Sequence, residues 1–148
     1  MTRLPGKARM TAAEYLDATP EPKEDEEQRN LFRWAEMMTG KYPELSMMYH
    51  IPNGGSRRRV EAAILKGMGV KKGVPDICLP VAAGPYHGMY IELKRSRSGK
   101  PSPEQTGWLE KLAGQGYQTV LCHGWREASE AIETHLKYRH ADEKEEQR

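Results

Sequence analysis

The segment Met89-Tyr90-Ile91-Glu92-Leu93-Lys94 constrains this chain more than any other, because its apolar side chains recur every second residue while its polar ones are charged. A period of two is a strand. It sets Ile91 and Leu93 on one face and Tyr90, Glu92 and Lys94 on the other, with Glu92 and Lys94 about 7 Å apart along the strand. Asp76 lies sixteen residues before Glu92, directly after Pro75, at the head of a second apolar run that ends at Val81. The intervening Ala82-Ala83-Gly84-Pro85-Tyr86-His87-Gly88 predicts an antiparallel hairpin with a generous loop, which brings Asp76 alongside Glu92.

Around this hairpin the apolar spacing predicts an α/β domain in the order α-β-α-β-β-α-β-α, a mixed sheet flanked by helices. Glu24 to Met38 carries Leu31, Trp34, Ala35 and Met38 at helical spacing and stops at Gly40 and Pro43. Stepping back along that stripe reaches Gln28, Glu27 and Glu24, so acid points the same way as the core-facing side. Met47 to Ile51 is expected as a strand, followed by the turn Pro52-Asn53-Gly54-Gly55 and a helix from Ser56 to about Lys66 with Val60, Ile64 and Leu65 on a narrow apolar face. GMGVKKGVP is a Gly-rich loop. Ser102-Pro103-Glu104-Gln105 opens a further helix with Trp108, Leu109 and Leu112 on one side. Tyr117 to Cys122 is expected as the last strand, and Trp125 to about Tyr138 as the closing helix.

With 148 residues, 37% hydrophobic and 30% charged, the chain has material for one core plus polar trimming. Residues 1–22 are expected as a flexible arm, 23–140 as the folded domain and 141–148 as a disordered charged tail. No apolar stretch reaches the ~18 residues of a spanning helix, and the start MTRLPGKARM lacks the apolar core of a signal peptide. Cys78 and Cys122 are far apart in apolar segments and form neither a disulfide framework nor a CxxC metal site. These features lead to the expectation of a soluble protein in a reducing cytoplasm, without a membrane or an organic cofactor.

Charge is unevenly distributed. Glu14 to Glu27 holds seven acidic residues and one basic, whereas Asn53 to Lys100 holds ten Lys or Arg against Glu61, Asp76 and Glu92. A basic middle either faces a polyanion, neutralising phosphates and releasing counterions, or is a solvated surface. Asn53, Gly54, Arg57, Arg58, Lys72 and Arg95 are the candidate nucleic-acid contacts. Asn53 and its glycines either bring N–H groups to a phosphate or simply make a turn.

Two converging carboxylates with few cations around them are costly unless a divalent ion lies between them, and hard oxygen ligands select Mg²⁺ or Mn²⁺. A neighbouring lysine can then orient a water or steady charge on a phosphorane, which is the inventory for hydrolysing a phosphodiester. Taken alone, Glu92-Leu93-Lys94 is more often a cross-strand salt bridge. The five histidines show no zinc-ligand spacing, and Trp34, Trp108 and Trp125 lie on expected core faces.

The ordered set Pro75-Asp76 and Glu92-Leu93-Lys94 resembles the PD-(D/E)XK nuclease superfamily. More narrowly, Asn53-Gly54-Gly55, Gly73-Val74-Pro75-Asp76, Ile91-Glu92-Leu93-Lys94, Ser102-Pro103-Glu104-Gln105, Trp108 and Gly116-Tyr117 resemble the VRR-NUC family (virus-type replication-repair nucleases) over about 24–136. The resemblance implies a restriction-endonuclease-like core and a DNA endonuclease dependent on one or two Mg²⁺ or Mn²⁺ ions per site. It implies Asp76 and Glu92 as metal-binding carboxylates, the Leu93 carbonyl as a further ligand and Lys94 as the catalytic lysine. A glutamate on the first helix is also implied, here Glu27 with Glu24 as the alternative. Gln105 matches the family's glutamine, either bonding the lysine or a phosphate or capping its helix. Homodimers acting on branched DNA in phage or bacterial cells are a further implication. The competing possibility is a nuclease-fold module that binds DNA without cutting it.

Overall fold

A computed structural model describes residues 11–53 and 59–148. Its elements are α1 (Ala12–Ala18), α2 (Glu24–Met38), a short 3-10 helix (Pro43–Met47), β1 (Tyr49–His50), α3 (Arg59–Gly67), β2 (Ile77–Leu79), β3 (Met89–Lys94), α4 (Pro103–Gly114), β4 (Gln118–His123) and α5 (Trp125–Glu146). The four strands form one mixed sheet in the order β1-β2-β3-β4. β1 pairs antiparallel with β2 and β2 antiparallel with β3, while β3 and β4 run parallel, joined by the α4 crossover.

Alternation along β3 organises the core. Met89, Ile91 and Leu93 share a face with Ile77, Leu79, Val120 and Cys122, and that face packs under Leu31 and Ala35 of α2 and Ala128, Ile132 and Leu136 of α5. Tyr90, Glu92 and Lys94 point to the other side, with Cys78 opposite Tyr90. The hairpin register pairs Ile77 with Ile91, which sets Asp76 opposite Glu92 as the sequence predicts.

Several boundaries differ from the expected ones. The strand expected over Asp76–Val81 shortens to three residues because Pro75 and Pro80 flank it and neither has an N–H for the ladder. With so short a partner, β1 also shrinks to Tyr49–His50, and Met47 ends the 3-10 helix that Pro43 starts and buried Leu45 anchors. α3 forms as expected from its apolar spacing, but none of its residues is buried; Val60 and Ile64 are exposed. The cap expected at Ser56 lies outside the described residues.

The ends of the chain are also more ordered than expected. α5 continues eight residues past Tyr138, to Glu146, where a frayed tail was expected after 140. Residues of this extension have partners on the body: the Gly84 N–H donates to Asp142 Oδ2 at 2.9 Å, and Arg139 Nε lies 3.5 Å from Glu44 Oε1 and 3.2 Å from Glu143 Oε1. At the other end, Thr19 to Pro22 lie across Arg95 and Arg97 rather than standing clear of the fold. None of the described helices is long and apolar enough to cross a membrane.

Candidate active site

Asp76 is held from both edges of its strand. Its carbonyl accepts from the Ile51 N–H at 2.7 Å and from His50 Nδ1 at 2.8 Å, while Oδ2 of its side chain accepts from the Leu93 N–H at 2.8 Å. Pro75 brings the β2 ladder to a close, so the Asp76 carboxylate serves as acceptor for the amide next to Glu92. The pairing that carries the strand register thereby also aims the acid.

Glu92 is fully buried. Its Oε1 accepts from Gln105 Nε2 at 2.7 Å and lies 3.4 Å from Lys94 Nζ, whereas its Oε2 is buried with no hydrogen-bond partner. Burial raises its pKa to about 8, the negative charge of Asp76 pushes in the same direction, and Lys94 pulls the other way. Lys94 is itself 8% exposed, and its main-chain carbonyl accepts from the Gly124 N–H at 2.9 Å. The Lys94 ammonium reaches only Oε1, and it does not offset the burial and the neighbouring charge that keep this acid far from its ordinary pKa.

Gln105 caps its helix, and its amide bonds Glu92, which is neither of the partners expected for it. Its Oε1 accepts from the Ser102 N–H at 2.8 Å while its own N–H donates to Ser102 Oγ at 3.2 Å, a reciprocal cap on α4. Its Nε2 then reaches Glu92 rather than Lys94. The α4 start is seated by Gly73, at φ +88°, where an added Cβ would lie 2.6 Å from the Glu104 carbonyl carbon and 2.9 Å from Gln105 N. Trp108 Nε1 donates to the Lys72 carbonyl at 3.1 Å and the Asn53 amide donates to the Lys71 carbonyl, so the Gly-rich loop is clipped on two sides.

The helix carboxylate requires a correction. Glu27 does not face the pair: it is buried at 3% exposure, and its Oε2 accepts from the Trp125 N–H, 2.8 Å away, at the N-terminus of α5. Gly124, the residue before α5, has no side chain with which to cap it, and the positive end of a 22-residue helix attracts an acid from elsewhere. Glu24, one turn earlier, is the carboxylate that senses the pocket. Desolvation raises its pKa and Asp76 adds to the rise, while Lys94 and Arg95 oppose it. Among the described residues no three His, Cys, Asp or Glu side chains converge closely enough to hold a metal ion. The converged acids are the pair Asp76 and Glu92.

Of the candidate nucleic-acid contacts, Asn53 spends its amide on the loop, Lys72 lies 3.4 Å from Glu104 on the surface, and Arg95 is paired with Glu21. Gly54, Arg57 and Arg58 lie outside the described residues. Trp34 and Trp125 pack against the core. Sequence reasoning missed His135, which is fully buried, with Nε2 donating to the Val81 carbonyl and Nδ1 2.7 Å from the Gln118 amide. Its only signal was its place one residue before Leu136 on the inward side of α5.

A mixed sheet flanked by helices, whose antiparallel pair delivers two acids and a lysine to one side, is the arrangement of a restriction-endonuclease-like nuclease fold. Residues 16–126 match the VRR-NUC domain, and the chain belongs to that family. A solved structure described as a VRR_NUC domain protein superposes with a TM-score of 0.71 at 32% identity, covering 81% of this chain and 93% of that one. No curated protein matches the chain.

Proposed function

We propose that the protein is a divalent-metal-dependent endonuclease that hydrolyses phosphodiesters in DNA, with Mg²⁺ or Mn²⁺ held by Asp76, Glu92 and the Leu93 carbonyl. The observation that carries this reading is the buried Glu92 carboxyl, its Oε2 without a hydrogen-bond partner and its pKa pushed up in part by the charge of neighbouring Asp76, a pair of hard oxygen donors that suits a divalent ion. Glu24, not Glu27, is the additional acid on this side. A bound divalent ion would supply Lewis acidity and lower the pKa of a water.

The chain's own groups have distinct tasks in that reaction. Asp76, fixed by three hydrogen bonds, and Glu92, fixed by Gln105, present their free oxygens without further reorganisation. Lys94, buried beside Glu92, keeps its ammonium in a low-dielectric pocket where it orients the attacking water and stabilises charge on the phosphate oxygens. Gln105 is a positioning residue for Glu92. Branched DNA as the preferred substrate and a homodimer as the working form are family-based parts of the proposal.

A plasmid nicking assay in Mg²⁺ or Mn²⁺, with EDTA as control, tests the reading. Cutting is expected in either metal and not in EDTA. Lys94→Ala is expected to abolish cutting while DNA affinity in EDTA changes by less than about twofold, since its charge faces Glu92 and not the surface. DNA binding without cutting under every metal condition would favour the binding-module alternative.

A further inference from the structure

Glu21 in the stretch before α2 sits in a cluster of donors supplied by the loop that follows the catalytic strand. Arg95 Nε lies 2.9 Å from Glu21 Oε1, Arg97 Nε lies 4.0 Å from Oε2, and Ser98 Oγ donates to Oε1. Main-chain carbonyls reinforce the contact: Arg95 also donates to the Glu21 carbonyl at 2.9 Å and the Pro22 carbonyl at 3.1 Å, and Arg97 donates to the Thr19 carbonyl at 2.7 Å. Two guanidinium groups and a hydroxyl converging on one carboxylate form an anion site. It adjoins the active site, because Arg95 is the residue after Lys94 and its charge is felt at Glu24 together with those of Lys94 and Asp76.

We propose that Arg95, Arg97 and Ser98 form a phosphate cradle for the nucleic-acid backbone, and that Glu21 occupies it in the free protein as a built-in competitor. The inference rests on the nuclease reading and adds to it a backbone contact and a means of restraint. The acidic segment suits this role in two ways. Its side chain presents two oxygens where a phosphate would present its own, and its attachment to the loop is polar throughout. The segment contributes Thr19, Pro20 and Pro22 to the lining of a cavity of about 660 Å³ shared with Arg97, His123 and Trp125, and none of these three joins the buried apolar core. A backbone phosphodiester carries the same single charge as a carboxylate, but it belongs to a polymer that engages the active site as well, and that multivalency lets it outcompete Glu21.

Fluorescence anisotropy with a short labelled duplex in EDTA tests the cradle on the full chain, without cutting. Displacing two partly exposed ion pairs costs roughly 3- to 10-fold in affinity, so Glu21→Ala is expected to lower the Kd by about that factor. Opening the cradle to one backbone phosphate is expected to steepen the slope of log Kd against log salt by about 0.9. Arg95→Ala is expected to weaken binding less in the parent chain, where Glu21 holds the guanidinium, than in the Glu21→Ala background, where it cancels most of the gain. Glu21→Gln, which keeps the size of the side chain, gives the same direction of change and guards against a folding defect in Glu21→Ala, with the thermal midpoint of each variant as the check. An unchanged Kd and slope in both Glu21 variants, or a gain that survives Arg95→Ala, overturns the proposal. The nicking assay on the parent chain separates this from the nuclease reading. Tighter binding by Glu21→Ala in a protein that never cuts retains the cradle and removes the nuclease, whereas cutting with unchanged binding removes the cradle alone.

Discussion

Glu24 and Glu27 are three positions apart on one helix and do opposite things. Glu27 terminates in the α5 N–H array, so Glu27→Ala is expected to lower stability by about 1–3 kcal/mol, through a lost cap and a buried donor left unmade, as read by urea denaturation. Glu24→Ala is expected to leave stability within about 0.5 kcal/mol, as befits an exposed side chain, and to raise the Mg²⁺ concentration needed for cutting. The reverse pattern, with Glu27→Ala acting on metal dependence, would restore Glu27 to the pocket. Periodicity identified both acids as lying on the core-facing stripe, but a stripe has no information about what faces it along its length. Leu31 and Ala35 meet the sheet, Glu27 meets the start of α5, and only at Glu24 does the stripe clear the core and come near Asp76.

At the scale of elements, the active site depends on how α4 is seated against the Gly-rich loop. Gly73 has both a positive φ and no space for a methyl group, so Gly73→Ala is expected to displace the first turn of α4 and with it Gln105. The expected outcome is a loss of cutting of at least about tenfold, with Gln105→Ala reproducing most of it, since both remove the same contact to Glu92. A Gly73→Ala protein that cuts normally would show that the loop does not seat the helix. The Ser102-Gln105 cap and the β3 alternation were legible beforehand because both are local: they depend on residues within four positions or on a period of two. The shortening of β2 was equally local in cause, since Pro75 and Pro80 stand in plain view at its ends. The C-terminal extension of α5 was not legible, because Ala141 to Arg148 has no apolar stripe. It is held by polar partners, Gly84 and Glu44, that lie far away in the chain.

For the whole molecule, the buried acid pair makes stability depend on pH and on metal. The folded state holds the Glu92 proton up to about pH 8, while the unfolded chain releases it near the ordinary value of 4.5. Between those values the folded form binds more protons than the unfolded one, so the Glu92 contribution falls as pH rises, and stability is expected to decline from about pH 6.5 to 8 in EDTA. Differential scanning calorimetry should show that decline, and Glu92→Gln should flatten it by removing the titrating group. Millimolar Mg²⁺ should raise the midpoint most at the alkaline end, where the carboxylate is ionised and free to bind it. A midpoint that rises with pH between about 6.5 and 8 in EDTA would contradict the pairing of these acids. His135 acts on the acid side: burial depresses its pKa, so stability is expected to fall as the pH drops below about 6.5 and the unfolded chain takes up a proton that the folded ring refuses.

Period, proline placement and helix caps settled the element order, the mixed sheet and the meeting of Asp76 with Glu92, since each arises from neighbours in the chain or from the geometry of a hairpin. Which glutamate reaches the pocket, what holds Glu27, where Gln105 sends its amide and what shields Arg95 were decided by contacts between segments as many as 98 residues apart. Such contacts depend on the relative placement of whole helices, a quantity that no local pattern of residues encodes.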